Sequence, residues 1–288
     1  MFAPAFDYYR ATSIANAGEL LRAHPGAKIL AGGHSLIPML NLRLASPAAL
    51  IDIGRIAELK GITKTATAVR IGAITTHAEI AASDVIRDTC PALAEAARLV
   101  GDPAVRNRGT IGGNVAHADP ASDLPTVLTA LGARFTIASG GGPVTTDAAA
   151  FFTGVLTTTL TEQDLLVAVE VPVRRSGQGQ AYVKFSHPAS RYAVIGIAAV
   201  LTVDGGKCTA AAVALGGLTS HARRASSVER AIAGQTLTPE TIASAAAKVT
   251  EDLGGDVLGD LFASAAYRTA VAPVWVRRAL TTAAGRAA

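Results

Sequence analysis

Cysteine is nearly missing from this chain: among 288 residues only Cys90 and Cys208 occur. They stand far apart and neither belongs to a C-x-x-C pair. That argues against a disulfide framework and against an iron–sulfur cluster held by this chain alone. Both read as small buried hydrophobes, and the pattern suits a cytoplasmic protein. Aromatic residues are also scarce, at 5%, and charged residues make up only 17%. The net charge is +4, with basic residues scattered or in pairs such as Arg174-Arg175, Arg223-Arg224 and Arg277-Arg278. Nucleic-acid binding calls for a basic stripe with interleaved aromatics, so it is not expected. No apolar run reaches the ~18 uncharged residues of a membrane span. Residues Met1–Asp7 lack the basic-then-apolar order of a secretory signal.

Several common motifs are absent as well. There is no G-x-G-x-x-G and no P-loop G-x-x-x-x-G-K-S/T. Gly33-His34-Ser35-Leu36-Ile37 starts like a nucleophile elbow but ends on isoleucine instead of glycine. His117, Asp119 and Asp123 sketch a metal site, yet no second histidine stands at ligand spacing.

What is present is ample apolar material, with 50% hydrophobic residues, and a length that favours two domains. Residues 13–24 read as a helix capped by Ser13, with Ile14, Ala17, Leu20 and Leu21 at helical spacing. Lys28–Ala31 is a short strand running into Gly32-Gly33. Leu36–Leu44 reads as a helical turn or two, and Ala49–Ile53 as another strand. From residue 60 short alternating strands appear, such as Ala68–Ala73. Helices are expected over 91–100 and from Asp123 to about Leu131, then strands from Arg134 to Val173. Arg174–Gln180 reads as a linker. Three strands follow (Ala181–Phe185, Val194–Val203, Cys208–Leu215), then alanine-rich helices. The order implies a separate C-terminal α+β domain.

Two glycine-rich segments carry the chemistry, Ala31-Gly32-Gly33-His34-Ser35 and Thr110-Ile111-Gly112-Gly113-Asn114. A glycine pair leaving a strand brings the backbone close to a ligand. Successive N–H groups in such a turn, with a helix start behind them, make an anion site. The alternative for either segment alone is an ordinary turn. Two such loops about 80 residues apart suggest one long dinucleotide lying between subdomains. Asp123 is placed to cap the helix that follows, or to accept a hydrogen bond from a ligand.

These residues resemble a known family. Ile29-Leu30-Ala31-Gly32-Gly33-His34-Ser35-Leu36-Ile37-Pro38, continuing to Leu44, is similar to the first flavin motif in the medium subunit of carbon monoxide dehydrogenase-type molybdenum hydroxylases. Arg106–Asn114 with His117-Ala118-Asp119-Pro120 resembles the second. The likeness extends to Val171-Pro172, Lys184-Phe185 and Ala214–Gly217. It implies an α+β chain with a two-lobed vanillyl-alcohol-oxidase/MurB-like (PCMH-type) FAD-binding domain over 1–176, with subdomains of about 1–58 and 59–176. A C-terminal domain over 177–288 would carry a three-stranded antiparallel sheet and a helical bundle. The implied partners are a large molybdenum-cofactor subunit and a small subunit with 2Fe–2S clusters, in a dimer of heterotrimers. By the same resemblance, Ile29, Leu30, Ala31, Gly32, Gly33, His34, Ser35 and Leu36 hold FAD together with Thr110, Ile111, Gly112, Gly113 and Asn114. Further flavin contacts are implied at Val100, Asp123, Leu166 and Lys184.

A cation at Lys184 near the flavin ring would raise the flavin's potential; the plain alternative is a surface lysine. Tyr192 is a candidate for stacking on the ring or a core tyrosine. His34 and His117 read as loop-positioning residues. Two departures stand out: Ser190-Arg191 precedes Tyr192 where the family carries Asp or Gly-Asp, and His221 stands where proline is usual. The main alternative is a free-standing FAD oxidoreductase of the same fold. A scaffold that has lost its flavin is opposed by the intact glycine motifs.

Overall fold

In the computed structural model, which describes residues 2–287, strands and helices follow the order read from the sequence closely at the N-terminus. A parallel sheet runs in the order β1 (Asp7–Arg10), β3 (Ala49–Asp52), β2 (Lys28–Leu30). Helix α1 (Ile14–Ala23) has Ser13 as its N-cap, accepting from the Asn16 N–H at 3.0 Å, and it buries Ala17 and Leu21. The turn Ala31–Ser35 joins β2 to α2 (Leu36–Asn41).

The second sheet is antiparallel, ordered β4 (Ile62–Lys64), β5 (Ala68–Gly72), β10 (Leu165–Pro172), β6 (Arg134–Ser139), β7 (Gly142–Asp147). Between β5 and β6 the chain forms α3 (His77–Ala82), α4 (Asp84–Thr89), α5 (Pro91–Leu99), α6 (Pro103–Arg108), α7 (Ile111–His117) and α8 (Asp123–Ala130). Helix α9 (Ala148–Phe151) and the hairpin β8 (Phe152–Gly154)–β9 (Thr157–Thr158) complete this part. Helix α3 opens with a capping box. Thr76 Oγ1 accepts from the Glu79 N–H at 3.2 Å, and Glu79 Oε2 accepts from the Thr76 N–H at 2.8 Å. Thr76→Ala removes half of this exchange, so a loss of about 1 kcal/mol is expected in urea unfolding. An unchanged midpoint would deny the box any role.

The third sheet is β11 (Gln178–Ser186), β12 (Ala193–Asp204), β13 (Lys207–Gly216) and the two-residue β14 (Arg223–Arg224). Its three long strands match the expectation, with β14 an addition at the edge. The linker is shorter than read, because Gln178, Gly179 and Gln180 pair with Thr202, Leu201 and Val200 inside the sheet. Helices α10 (Ser226–Ile232), α11 (Pro239–Ala247), α12 (Val249–Leu253) and α13 (Ala265–Arg286) cover one face.

Side chains alternate along these strands. Ala181, Ile197, Ala199, Val213 and Leu215 point into the helical core. Tyr182, Ala198, Val200 and Ala214 point the other way, into the core built on α5 and α8. With both faces covered, Ala193–Leu201 is buried throughout, which is why it reads as one continuous apolar run. Gly216, the register partner of Gly196, lets α8 lie directly on the sheet, since a Cβ there would overlap Thr126 Oγ1. Both cysteines are free and buried. Among the described residues no helix is long and apolar enough to cross a membrane.

Candidate functional site

A cavity of about 600 Å³ lies where these parts meet, lined by both glycine segments. That is a size suited to a cofactor. The first segment leaves β2 as an open turn, with Gly33 at φ +76°, a left-handed conformation that favours glycine. No backbone N–H of Gly32, Gly33, His34 or Ser35 donates to an acceptor among the described residues. Four consecutive amides beside a cavity are therefore unpaired, a geometry that suits an anion. Ser35 makes no side-chain cap bond to α2, which leaves its hydroxyl free.

The second segment differs from the expected loop. Thr110 is an N-cap, and Ile111, Gly112, Gly113 and Asn114 are the first residues of α7. Their amides are engaged: Ile111 donates to the Thr75 carbonyl at 3.0 Å and Gly112 to the Ala73 carbonyl at 2.8 Å. Gly113 donates to Thr110 Oγ1 at 3.2 Å, and Asn114 to the Thr110 carbonyl at 3.0 Å. A glycine pair has low helix propensity, but here packing overrides it. An added Cβ at Gly112 would lie 2.5 Å from Ala73 Cβ and 2.7 Å from its carbonyl oxygen. This segment therefore offers a small-residue surface and the Asn114 side-chain oxygen to a ligand, and the first segment supplies the N–H groups. The two segments touch, since a Cβ on Gly32 would overlap the Arg108 carbonyl oxygen and come within 3.0 Å of Gly109 Cα.

Of the residues named from sequence, Ile29, Ala31, Gly32, Gly33, His34, Ser35 and Leu36 line the cavity on one side. Val100, Thr110, Gly112, Gly113, Asn114, Asp123, Leu166 and Tyr192 line it elsewhere, as does His117. Arg106 fixes Val100 by donating to the Val100 and Gly101 carbonyls at 3.1 and 3.0 Å. Three named residues are not in the wall. Leu30 is spent on the sheet, its carbonyl accepting from the Ile53 N–H at 3.1 Å. Ile111 is wholly buried in the core under α7.

Lys184 is the third, and it is neither a free cation beside a ring nor a surface lysine. Its side chain is 1% exposed, and Nζ donates to Asp123 Oδ2 at 2.8 Å and to the Leu99 carbonyl at 3.1 Å. Asp123 also departs from expectation: Ser122 occupies the N-cap position of α8, and the Asp123 carboxylate turns to Lys184 and Tyr182. Burial pushes its carboxyl up, while Lys184 and Tyr182 hold it down.

Sequence reading missed three wall or near-wall residues. His77 is 3% exposed, and burial with the neighbouring His34 pushes its imidazole down to about 4, so it is neutral at ordinary pH. Asp164 lines the cavity with one oxygen accepting from the Thr161 N–H at 2.8 Å. Tyr182 sits behind Asp123, donating to Oδ1 at 2.5 Å. A signal for Tyr182 existed, because it stands two residues before Lys184 on one face of a strand.

The fit to FAD rests on unmatched groups in the wall. Buried polar atoms are normally paired. Yet His77 Nδ1, Asn114 Oδ1 and Asp164 Oδ1 are buried without a partner, and all three residues line this cavity. Free amides for a diphosphate, acceptors for hydroxyl or N–H donors, and apolar stretches at Val100 and Leu166 suit a dinucleotide.

Fold and cavity together define a FAD-binding flavoprotein chain. Residues 4–174 match the family described as FAD binding domain in molybdopterin dehydrogenase, and residues 180–283 match the CO dehydrogenase flavoprotein C-terminal domain. The chain belongs to this family of FAD-binding oxidoreductase subunits. The carbon monoxide dehydrogenase medium chain of Hydrogenophaga pseudoflava is 38% identical, with 100% of each chain covered. The glyceraldehyde dehydrogenase medium chain of Sulfolobus acidocaldarius is 36% identical over 97% of this chain and 98% of its own. Among solved structures, the Hydrogenophaga pseudoflava carbon monoxide dehydrogenase superposes with a TM-score of 0.96 at 40% identity, covering 100% of both chains. Quinoline 2-oxidoreductase from Pseudomonas putida gives 0.94 at 33% identity, covering 100% of this chain and 99% of the other.

Proposed function

We propose that this chain is the electron-transferring FAD subunit of a heteromeric molybdenum hydroxylase. In that reading a large subunit hydroxylates substrate at its molybdenum cofactor with oxygen from water, releasing two electrons and two protons. A small subunit's 2Fe–2S clusters relay the electrons to this chain. Bound FAD would supply the redox chemistry here, linking those clusters to an external acceptor. The protein's part is placement. The amides of Gly32–Ser35 would hold the diphosphate, while Thr110, Gly113 and Asn114 would flank it. Val100, Leu166 and Tyr192 would shield the flavin from water, and Asp123 would accept from its N–H or hydroxyl groups.

The observation that carries this reading is the row of four unpaired amides facing a cavity whose walls hold three further unpartnered polar atoms. Whole-length similarity to medium chains of carbon monoxide and glyceraldehyde dehydrogenases supports the partners. The division at residue 176, with subdomains meeting near residue 58, fits the separate sheets. A cytoplasmic dimer of heterotrimers is the expected assembly. Native purification tests it: FAD, molybdenum and iron should co-elute, with a mass that fits two copies of each subunit. A chain that purifies yellow and turns over substrate with no molybdenum or iron would overturn it in favour of a free-standing oxidoreductase.

A further inference from the structure

Asp123 lines the cavity, yet its hydrogen-bonding partners come from behind it, on the third sheet. Tyr182 and Lys184 project from the same face of β11 and take one carboxylate oxygen each. We propose that Tyr182 is a positioning residue for FAD binding. Its hydroxyl bond to Asp123 Oδ1 orients that carboxylate to accept from an N–H or O–H of the flavin half. The inference rests on the reading above that Asp123 faces the flavin.

The geometry around Tyr182 is built for this bond. Gly196 stands opposite Lys184 in register, and a Cβ there would come 2.6 Å from the Tyr182 hydroxyl. The strand is pinned from the other domain, since the Tyr182 N–H donates to Glu95 Oε2 at 3.1 Å. Glu95 in turn pairs with Arg286 at 2.6 Å, and Arg286 donates to the Gln180 carbonyl at 2.8 Å. Burial and the adjacent carboxylate raise the Tyr182 phenol well above its ordinary range, so it stays a donor. Asp123 needs that donor, because burial opposes its charge and Lys184 is shared with the Leu99 carbonyl.

The ionisable groups that act on Asp123 are Tyr182 and Lys184 from β11 and Tyr192 from the loop before β12, and Tyr192 also feels Asp119. Glu95 from α5 holds the Tyr182 N–H, and His117 from α7 lines the same cavity. Removing the Tyr182 hydroxyl moves the Asp123 carboxyl further up. A contact that needs the carboxylate is present above that raised value and lost as pH falls through it. An acquired pH dependence is therefore the signature.

The experiment titrates FAD into the deflavinated full-length chain between about pH 6 and about pH 8.5 for wild type, Tyr182→Phe and Asp123→Asn. Wild-type affinity is the reference at each pH. Tyr182→Phe should bind more weakly than wild type by a factor that grows as pH falls, reaching about tenfold or more at the acid end. Asp123→Asn should be weak throughout. A Tyr182→Phe profile parallel to wild type, whether superimposed or uniformly weaker, overturns the positioning role while a weak Asp123→Asn leaves the flavin contact standing. Wild-type affinity in Asp123→Asn overturns that contact, and the role of Tyr182 with it.

Discussion

A Gly32→Val protein is expected to purify folded but without FAD. The Cβ of residue 32 would overlap the Arg108 carbonyl oxygen and lie 2.9 Å from the carbonyl carbon, both backbone atoms held by α6. A backbone cannot step aside as a flexible side chain does, so the turn 31–35 must pull away from the second segment. Overpacking of this kind costs about 1–3 kcal/mol of stability. The larger effect falls on the ligand, because the free amides of Gly32–Ser35 lose their common direction. Hydrogen bonds to a charged group are worth about 1.5–3 kcal/mol each, so losing two weakens FAD by about 100-fold or more. The ratio of flavin to protein absorbance after purification reads this directly. Gly26→Ala is the control: an added Cβ at Gly26 meets nothing within 4 Å, and only its φ of +76° opposes a side chain there. It should lose a little stability and keep its flavin. Full flavin content in Gly32→Val would mean the turn does not hold the diphosphate.

Lys184→Met should unfold far more readily than wild type. The lysine and Asp123 are 2.8 Å apart with side chains 1% and 5% exposed. Breaking a buried pair from one side leaves an uncompensated charge, a loss of about 3–5 kcal/mol. Urea midpoints measure it. Adding Asp123→Leu removes the second charge and should recover most of that stability, while FAD binding stays weak because the cavity has lost its carboxylate. A single variant as stable as wild type, or a double variant no better than the single, would contradict the pairing. The sequence alone suggests a different role for Lys184, a cation tuning the flavin from beside the ring. Placing it beneath Asp123 changes the expected phenotype from a shifted potential to a loss of fold and flavin together.

How much of this was legible beforehand depends on the range of the interactions involved. Ser13 and the periodic Ala17 and Leu21 announce α1 because capping and amphipathicity are local. The strand–glycine–helix order at Lys28–Asn41 is local too, and so is the anion turn it creates. The helical state of Ile111–Asn114 was not legible, since it depends on Gly112 meeting Ala73 from a distant strand end. Nor was the position of Lys184, because nothing near it in sequence says that α8 will lie against β12 and β13 and present Asp123. His77 gives no signal at all until Gly109 leaves room for its ring: a Cβ there would come 2.8 Å from His77 Cδ2. The family resemblance named Asp123 and Lys184 as separate flavin contacts; the structure makes them a pair, with Tyr182 as third member.

The central claim is that one cradle, formed by the free amides of Gly32–Ser35 against the surface of Thr110–Asn114, holds FAD with its flavin half toward Asp123. A diffraction structure of the native complex with FAD bound tests it most directly. The account predicts diphosphate density within hydrogen-bonding distance of the Gly32–Ser35 amides, and ring or ribityl density beside Asp123. Diphosphate density elsewhere, with those four amides still unpaired, would contradict it.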